Sequence, residues 1–220
     1  MAPVRFSAID ASNRGDHSRL TEDDECYYLF EYTSRRGFEF GPTNQLISNL
    51  KKSVSRRGRP DYRYKAQAIR KCSEYFREAI NDDWLQSGTL VPIPPSKMPG
   101  DPLYDPRVTE ICRGITKPNP VDVRDLVRQT RSIQAAHESD DRPSAEDLLG
   151  IYQIDPALTK PPPQAIGVVD DVLTAGTHFR AVKTVLSDAF PGLRVVGLFI
   201  ARRVFPDDEA TEILDLFETL

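Results

Sequence analysis

Apolar and polar positions divide the chain into blocks with strand-like and helix-like periods. Ile166-Gly167-Val168-Val169 is a continuous apolar run of the kind that fills a strand buried on both faces. Asp170 and Asp171 follow at its expected carboxyl end, and Thr174-Ala175-Gly176-Thr177 forms a turn. Phe179, Val182, Val185, Leu186 and Ala189 then recur at helical spacing, which predicts a helix ending near Phe190. Pro191-Gly192 turns the chain into a second buried parallel strand, Leu193 to Ala201, with Arg202 and Arg203 at its carboxyl end. This order predicts an α/β protein with an open parallel sheet flanked by helices.

The upstream pattern is less regular. Asn13 to Glu25 is polar and acidic-rich and predicts a loose arm or loop. Cys26 to Tyr32 is strand-like by its aromatic content, and Arg35-Arg36-Gly37 predicts a turn into a second strand, Phe38 to Phe40. Asn44 to Val54 and Tyr62 to Ile80 read as helices, the second with Ala66, Ile69, Ser73, Phe76 and Ile80 on one face. Leu90 to Pro94 is an apolar strand ending in prolines, and a helix is expected from Leu103 to Ile115, starting near Pro106. Val121 to Val127 is a further core-strand candidate, and a long polar segment follows before Leu148 to Tyr152. Three prolines, Pro161 to Pro163, lead stiffly into the Ile166 strand.

A length of 220 residues suits one domain, or one with an appendage. We expect residues 1–89 as an N-terminal appendage or hood, 90–205 as the core and 206–220 as an acidic terminal helix. Three widely spaced cysteines have neither metal-ligand spacing nor an even disulfide set, which suits a reducing cytoplasm. No run approaches the ~20 apolar residues of a membrane span, and Met1 to Arg5 lacks a secretory apolar region. A net charge of −4 argues against a generally basic nucleic-acid binder. One local exception is the run Lys51, Lys52, Arg56, Arg57, Arg59, Arg63, Lys65, Arg70 and Lys71, interrupted only by Asp61. It reads either as a solvated helix face, with the acidic tail folded against it, or as a contact for nucleic acid or another polyanion.

The chemistry concentrates around the Ile166 strand. In an open α/β sheet, ligands bind at the carboxyl ends of strands. A turn leading into a helix offers unpaired N–H groups and a positive dipole end to an anion. Gly176 lets the backbone curl around a phosphate, and Thr174 and Thr177 add hydroxyl donors. Asp170 and Asp171 suit a sugar diol or a magnesium-bound neighbour. Together these groups fit a phosphorylated ribose held end to end.

Val168-Val169-Asp170-Asp171-Val172-Leu173-Thr174-Ala175-Gly176-Thr177 resembles the phosphoribosyl pyrophosphate (PRPP) motif of the type I phosphoribosyltransferases. Val91-Pro92-Ile93-Pro94 resembles the Val-Pro-Val-Pro-like sequence of the ComF-like branch, at the place of its pyrophosphate loop. Arg128, Thr130, Gln134 and Arg142 fill an Arg, Thr, Gln, Arg pattern of the same branch; the Asn that follows there is absent, with Glu146 nearby. The resemblance covers roughly Leu90 to Arg203.

That resemblance implies a phosphoribosyltransferase-like sheet and transfer of phosphoribosyl from PRPP to a nitrogen acceptor. Thr174, Ala175, Gly176, Thr177 and His178 would hold the 5-phosphate, and Asp170 and Asp171 the ribose hydroxyls and, indirectly, Mg. Ser96, Lys97 and Arg142 would meet the pyrophosphate, Arg128 would assist catalysis from a closing loop, and Arg202 would reach the acceptor pocket. A homodimer is the expected assembly. The competing classes are a non-catalytic PRPP or nucleotide sensor, and an effector linked to DNA uptake or defence.

Overall fold

The computed structural model describes residues 3–117, 120–132 and 144–206. In chain order its strands and helices are β1 (Ser7–Ala8), β2 (Cys26–Thr33), α1 (Pro42–Leu50), α2 (Arg63–Ala79), α3 (Asp82–Leu85), β3 (Gly88–Pro92), α4 (Arg107–Arg113), β4 (Asp122–Val123), β5 (Val127–Gln129), α5 (Ala145–Leu149), β6 (Tyr152–Ile154), β7 (Ala165–Leu173), α6 (Thr177–Ala189) and β8 (Val195–Val204). A six-stranded sheet has the order β1-β2-β8-β7-β3-β4. Only the β1–β2 pair in it is antiparallel. A separate antiparallel pair is made by β5 and β6.

Over Ile166–Val169 the period of two in β7 sends alternate side chains into two cores. Ile166 and Val168 join Phe179, Val182 and Leu186 of α6 on one face. Val169 and Val172 join Ala68, Cys72 and Phe76 of α2 and Ile111 of α4 on the other. Helices therefore cover both faces, as the continuous apolar run of β7 requires. Among the described residues, no helix is long and apolar enough to cross a membrane.

The connections place the ligand edge. From β3 the chain crosses through α4 to β4, outward on one side. From β7 it crosses through α6 to β8, on the other. The carboxyl ends of β3 and β7 thus flank a topological switch point, where the two crossovers leave an open crevice. Pairing with β3 stops at Pro92 opposite Val169, so Asp170–Leu173 run past the end of β3, and Asp170, Asp171 and Val172 line that crevice.

Residues before Gly88, expected as a hood or appendage, share this sheet. Strand β2 pairs with β8 from Cys26 opposite Gly197 to Thr33 opposite Val204. Ile47 and Leu50 of α1 lie in the same core as α2 and α4.

Several expected elements differ. Phe38–Phe40 is a 3-10 turn, not the second strand of a hairpin, and both phenylalanines are exposed. Strand β1 covers β2 only at Tyr27 and Tyr28, and at the far end the Asn44 side chain bonds to Thr33 N and O, where a hairpin partner would pair. The polar segment Asn13–Glu25 is the loop of the expected alternatives rather than the loose arm, for His17, Leu20 and Asp24 are buried. The expected strand Val121–Val127 divides into β4, on the sheet edge, and β5, in the separate pair.

Helix α2 forms, but its inward face differs from the expected one. Lys65, Ala68, Cys72, Ser73 and Phe76 are buried while Ala66 is exposed. The reason is Lys65, which a polarity pattern assigns to water. Its ammonium donates to Leu50 O at 2.6 Å, Lys52 O at 3.0 Å and Asp105 Oδ2 at 2.7 Å. A buried cation is tolerable when all three donors are satisfied.

Candidate functional site

A cleft of about 280 Å³ opens at the switch point. One wall is Ile93–Lys97, leaving β3, and another is Asp170–Val172 with Thr174 and His178. Asp105–Thr109 at the start of α4 and Lys51, Ser53 and Val54 after α1 complete it.

Asp170 and Asp171 are neighbours in β7 with opposite fates. They lie inside the strand, which continues to Leu173, rather than at its end as expected. Asp171 is buried, and Arg107 donates to its Oδ2 from both Nε and Nη2 at 2.7 Å. Lys51 Nζ lies 3.2 Å from its other oxygen, Oδ1. Burial alone would raise its pKa, but Lys51 and Arg107 hold the carboxyl well below the usual range. Asp170 is half-buried, and its Oδ1 accepts the backbone N–H of Asp171 at 2.8 Å. Loss of water and then the charge of Asp171 push its pKa upward. One carboxylate is therefore locked in an ion network and the other faces the cleft.

The network continues downward. Arg107 also donates to Asp105 Oδ2 at 2.9 Å, and Asp105 receives Lys65. Burial opposes the charge on Arg107, but Asp171 and Asp105 overcome it and raise its pKa. Sequence reasoning missed Arg107, although a signal existed. It is the first residue of α4, preceded by Pro106, and a cation at a helix N-terminus opposes the dipole unless an acid compensates. Lys51 was read only as part of the basic run, and nothing in its neighbours points 120 residues ahead to Asp171.

The turn into α6 has the expected form. Gly176 occupies the N-cap at φ 92°, and no side chain caps the helix. That left-handed conformation favours glycine, as the expected tight curl does, and the packing adds a second reason. A Cβ there would meet Leu20 Cδ2 at 2.7 Å, so the missing side chain makes room for the N-terminal arm. His178 lines the cleft, with Nδ1 2.8 Å from the hydroxyl of Tyr152. Burial pushes the imidazole down to about 4 and the phenol upward, so both stay neutral near pH 7. With Tyr152 donating, the ring proton of His178 sits on Nε2.

Of the other expected residues, Ser96 and Lys97 line the cleft, and Gln129 Nε2 donates to Ser96 O at 2.8 Å. No ion pair forms at Lys97 among the described residues. Ala175, Gly176 and Thr177 adjoin the cleft without lining it. Arg128 lies away from the cleft lining, with its side chain 60% exposed, and pairs with Asp155 at 3.3 Å. Arg202 is also outside it, held by Asp16 at 2.8 Å and Glu31 at 2.5 Å, with its guanidinium over the Tyr28 ring. Gln134, Arg142 and the acidic tail from Asp207 lie outside the described residues.

The basic run is not one surface. Lys51 enters the cleft, Lys65 is buried, Arg56 pairs with Asp61 at 2.9 Å and Lys71 with Glu74 at 3.3 Å. Arg57, Arg59, Arg63 and Arg70 are exposed, without a carboxylate partner among the described residues.

Among the described residues, no group of three or more His, Cys, Asp or Glu side chains is arranged to hold a metal. With both oxygens of Asp171 engaged and Asp170 Oδ1 occupied, Oδ2 of Asp170 is a carboxylate oxygen of this strand left for an ion. That donor set fits a magnesium carried mainly by a ligand's oxygens and water.

A comparison of the sequence with protein-family models returns no match, and a comparison with curated proteins returns no significant one.

Proposed function

We propose that the cleft binds PRPP and that the protein transfers its phosphoribosyl group to a nitrogen acceptor, as the resemblance to type I phosphoribosyltransferases implies. The observation that carries this reading is a convergence at one switch point. Asp170 within β7, Thr174 and His178 on either side of the turn into the uncapped α6, and Ser96 and Lys97 of the loop after β3 line a single cleft. These are the groups that a ribose diol, a 5-phosphate and a pyrophosphate respectively need.

In this reading Thr174–Thr177 seat the 5-phosphate on backbone N–H groups. Asp170 accepts from the ribose hydroxyls and stabilises the positive charge that develops at the ring as the bond to pyrophosphate breaks. The electron pair leaves on pyrophosphate, beside Ser96 and Lys97, while the acceptor nitrogen bonds to the anomeric carbon and loses a proton. Asp171 holds Arg107 and the floor of the cleft rather than the sugar. Magnesium would be held through Asp170 and the ligand, and would supply charge neutralisation of the pyrophosphate.

The deciding experiment incubates the protein with PRPP and magnesium against a panel of bases and measures pyrophosphate release. Calorimetry with PRPP alone separates binding from turnover. Release with one base and none without it supports transfer. Absence of binding at millimolar PRPP removes the reading.

Binding without transfer is the second reading. The locked Asp171 and the outward Arg128 favour it, since both are expected catalytic groups that meet protein partners here. PRPP binding with no turnover on any base would select it.

A further inference from the structure

The turn before α6 is gripped from outside its own βα unit. His17 Nδ1 bonds to Thr174 O, and Arg19 N donates to Ala175 O at 2.9 Å. Leu20 fills the space beside Gly176. Beyond it, Asp24 accepts from Arg180 at 3.0 Å and Lys183 at 2.8 Å, which fastens the arm to α6.

His17 is completely buried, and its Nε2 has no partner among the described residues. A carbonyl can only accept, so the ring proton is on Nδ1 and Nε2 is a bare acceptor. An arm needing only packing would be better served by an apolar side chain, because an unpaired buried nitrogen is unfavourable. The one bond the imidazole makes is therefore the reason to have it.

That bond fixes a direction. In a planar trans peptide, C=O and N–H point opposite ways. With Thr174 O turned toward His17, the N–H of Ala175 points away from the arm. With Ala175 O turned toward Arg19, the N–H of Gly176 does the same. Neither N–H meets an acceptor among the described residues.

We propose that His17 is a positioning residue, which orients the Thr174–Thr177 turn so that its peptide N–H groups are presented to a phosphate monoester. The assignment of phosphate to this turn rests on the PRPP reading; the orienting role rests on the contacts above.

The test compares His17→Asn, which places an amide donor near the Nδ1 position, with His17→Gln, which places it near Nε2. Backbone amide resonances of Ala175 and Gly176 are recorded in the free protein, and ribose 5-phosphate is titrated by calorimetry. Asn is expected to keep both resonances near their wild-type positions. Gln is expected to shift them and to weaken ribose 5-phosphate about tenfold, the scale of one hydrogen bond. Unmoved resonances in the Gln variant overturn the proposal. If the wild type fails to bind ribose 5-phosphate, the PRPP reading falls. In that case, resonances that move with Gln and return with Asn still support the orienting role, and resonances that do not move overturn it. Should the Gln variant fail to fold while Asn folds with wild-type resonances, the Nδ1 donor is confirmed as the group the turn needs.

Discussion

At the scale of single residues, the two adjacent carboxylates make different predictions. Asp171→Asn leaves the half-buried Arg107 guanidinium with only Asp105 as a carboxylate partner, and breaking such a pair costs about 3 kcal/mol. A large loss of melting temperature is expected, whatever the ligand. Asp170→Asn removes a carboxylate whose pKa is raised in the folded state. A raised carboxyl binds its proton more tightly when folded, so its contribution to stability is full below the ordinary value and declines as pH rises through the folded one. Asp170→Asn should therefore match the wild type near pH 4 and exceed it near pH 8, by about 1 kcal/mol. It should also lose most PRPP affinity. Thermal melts across this range, with calorimetry beside them, check both outcomes; a destabilised Asp170→Asn at pH 8 would refute the assignment. Gly176→Val is a poor probe of phosphate, because it collides with Leu20 before any ligand arrives.

At the scale of elements, the loop after β3 is held by the strand pair β5–β6. Gln129 bonds to Ser96 O, and Met98 N donates to Ser132 Oγ at 3.0 Å. Gln129→Leu should free the Ser96–Met98 segment, so hydrogen exchange there rises several-fold while exchange in β7 stays unchanged. Pyrophosphate affinity should fall with it; exchange that does not change would show that the loop is stiff without Gln129. The turn prolines and the apolar run of β3 made this loop legible in the sequence. Its support was not, since β5 and β6 are each three residues long and nothing in either shows that they pair with each other.

At the scale of the whole molecule, cations of the N-terminal segment divide between the cleft and the surface. Lys51→Met removes the weaker partner of Asp171, a side chain 40% exposed, and should cost about 0.5 kcal/mol. Arg107→Met should cost about 3 kcal/mol or more, because Asp171 is buried and accepts from it twice through Oδ2. Melts of the two variants decide which cation anchors the floor; equal losses would contradict the geometry. Replacing Arg57, Arg59 and Arg63 with Ser should leave stability and PRPP affinity as they were, since none lines the cleft. If that triple variant also lost duplex DNA binding and its salt dependence, the slope falling by roughly 0.9 per lost phosphate contact, the exposed arginines would be a polyanion surface.

Local pattern determined more about this protein than its long-range contacts did. Strand β7, the turn at Gly176, helix α6 and strand β8 follow one another within forty residues, and periodicity, a left-handed glycine and a Pro-Gly break are all local signals. The parallel sheet follows from that order, because each crossover returns a buried strand to the same layer. Tertiary structure alone decided which carboxylate is free, what fills the space beside Gly176, and which cations enter the cleft. Each of these depends on a contact across many residues: Arg107 with Asp171, Leu20 with Gly176, Lys51 with Asp171. A charged residue looks solvated in a sequence whether water or a distant acid neutralises it, and only the folded chain brings that acid within 3 Å or so of it.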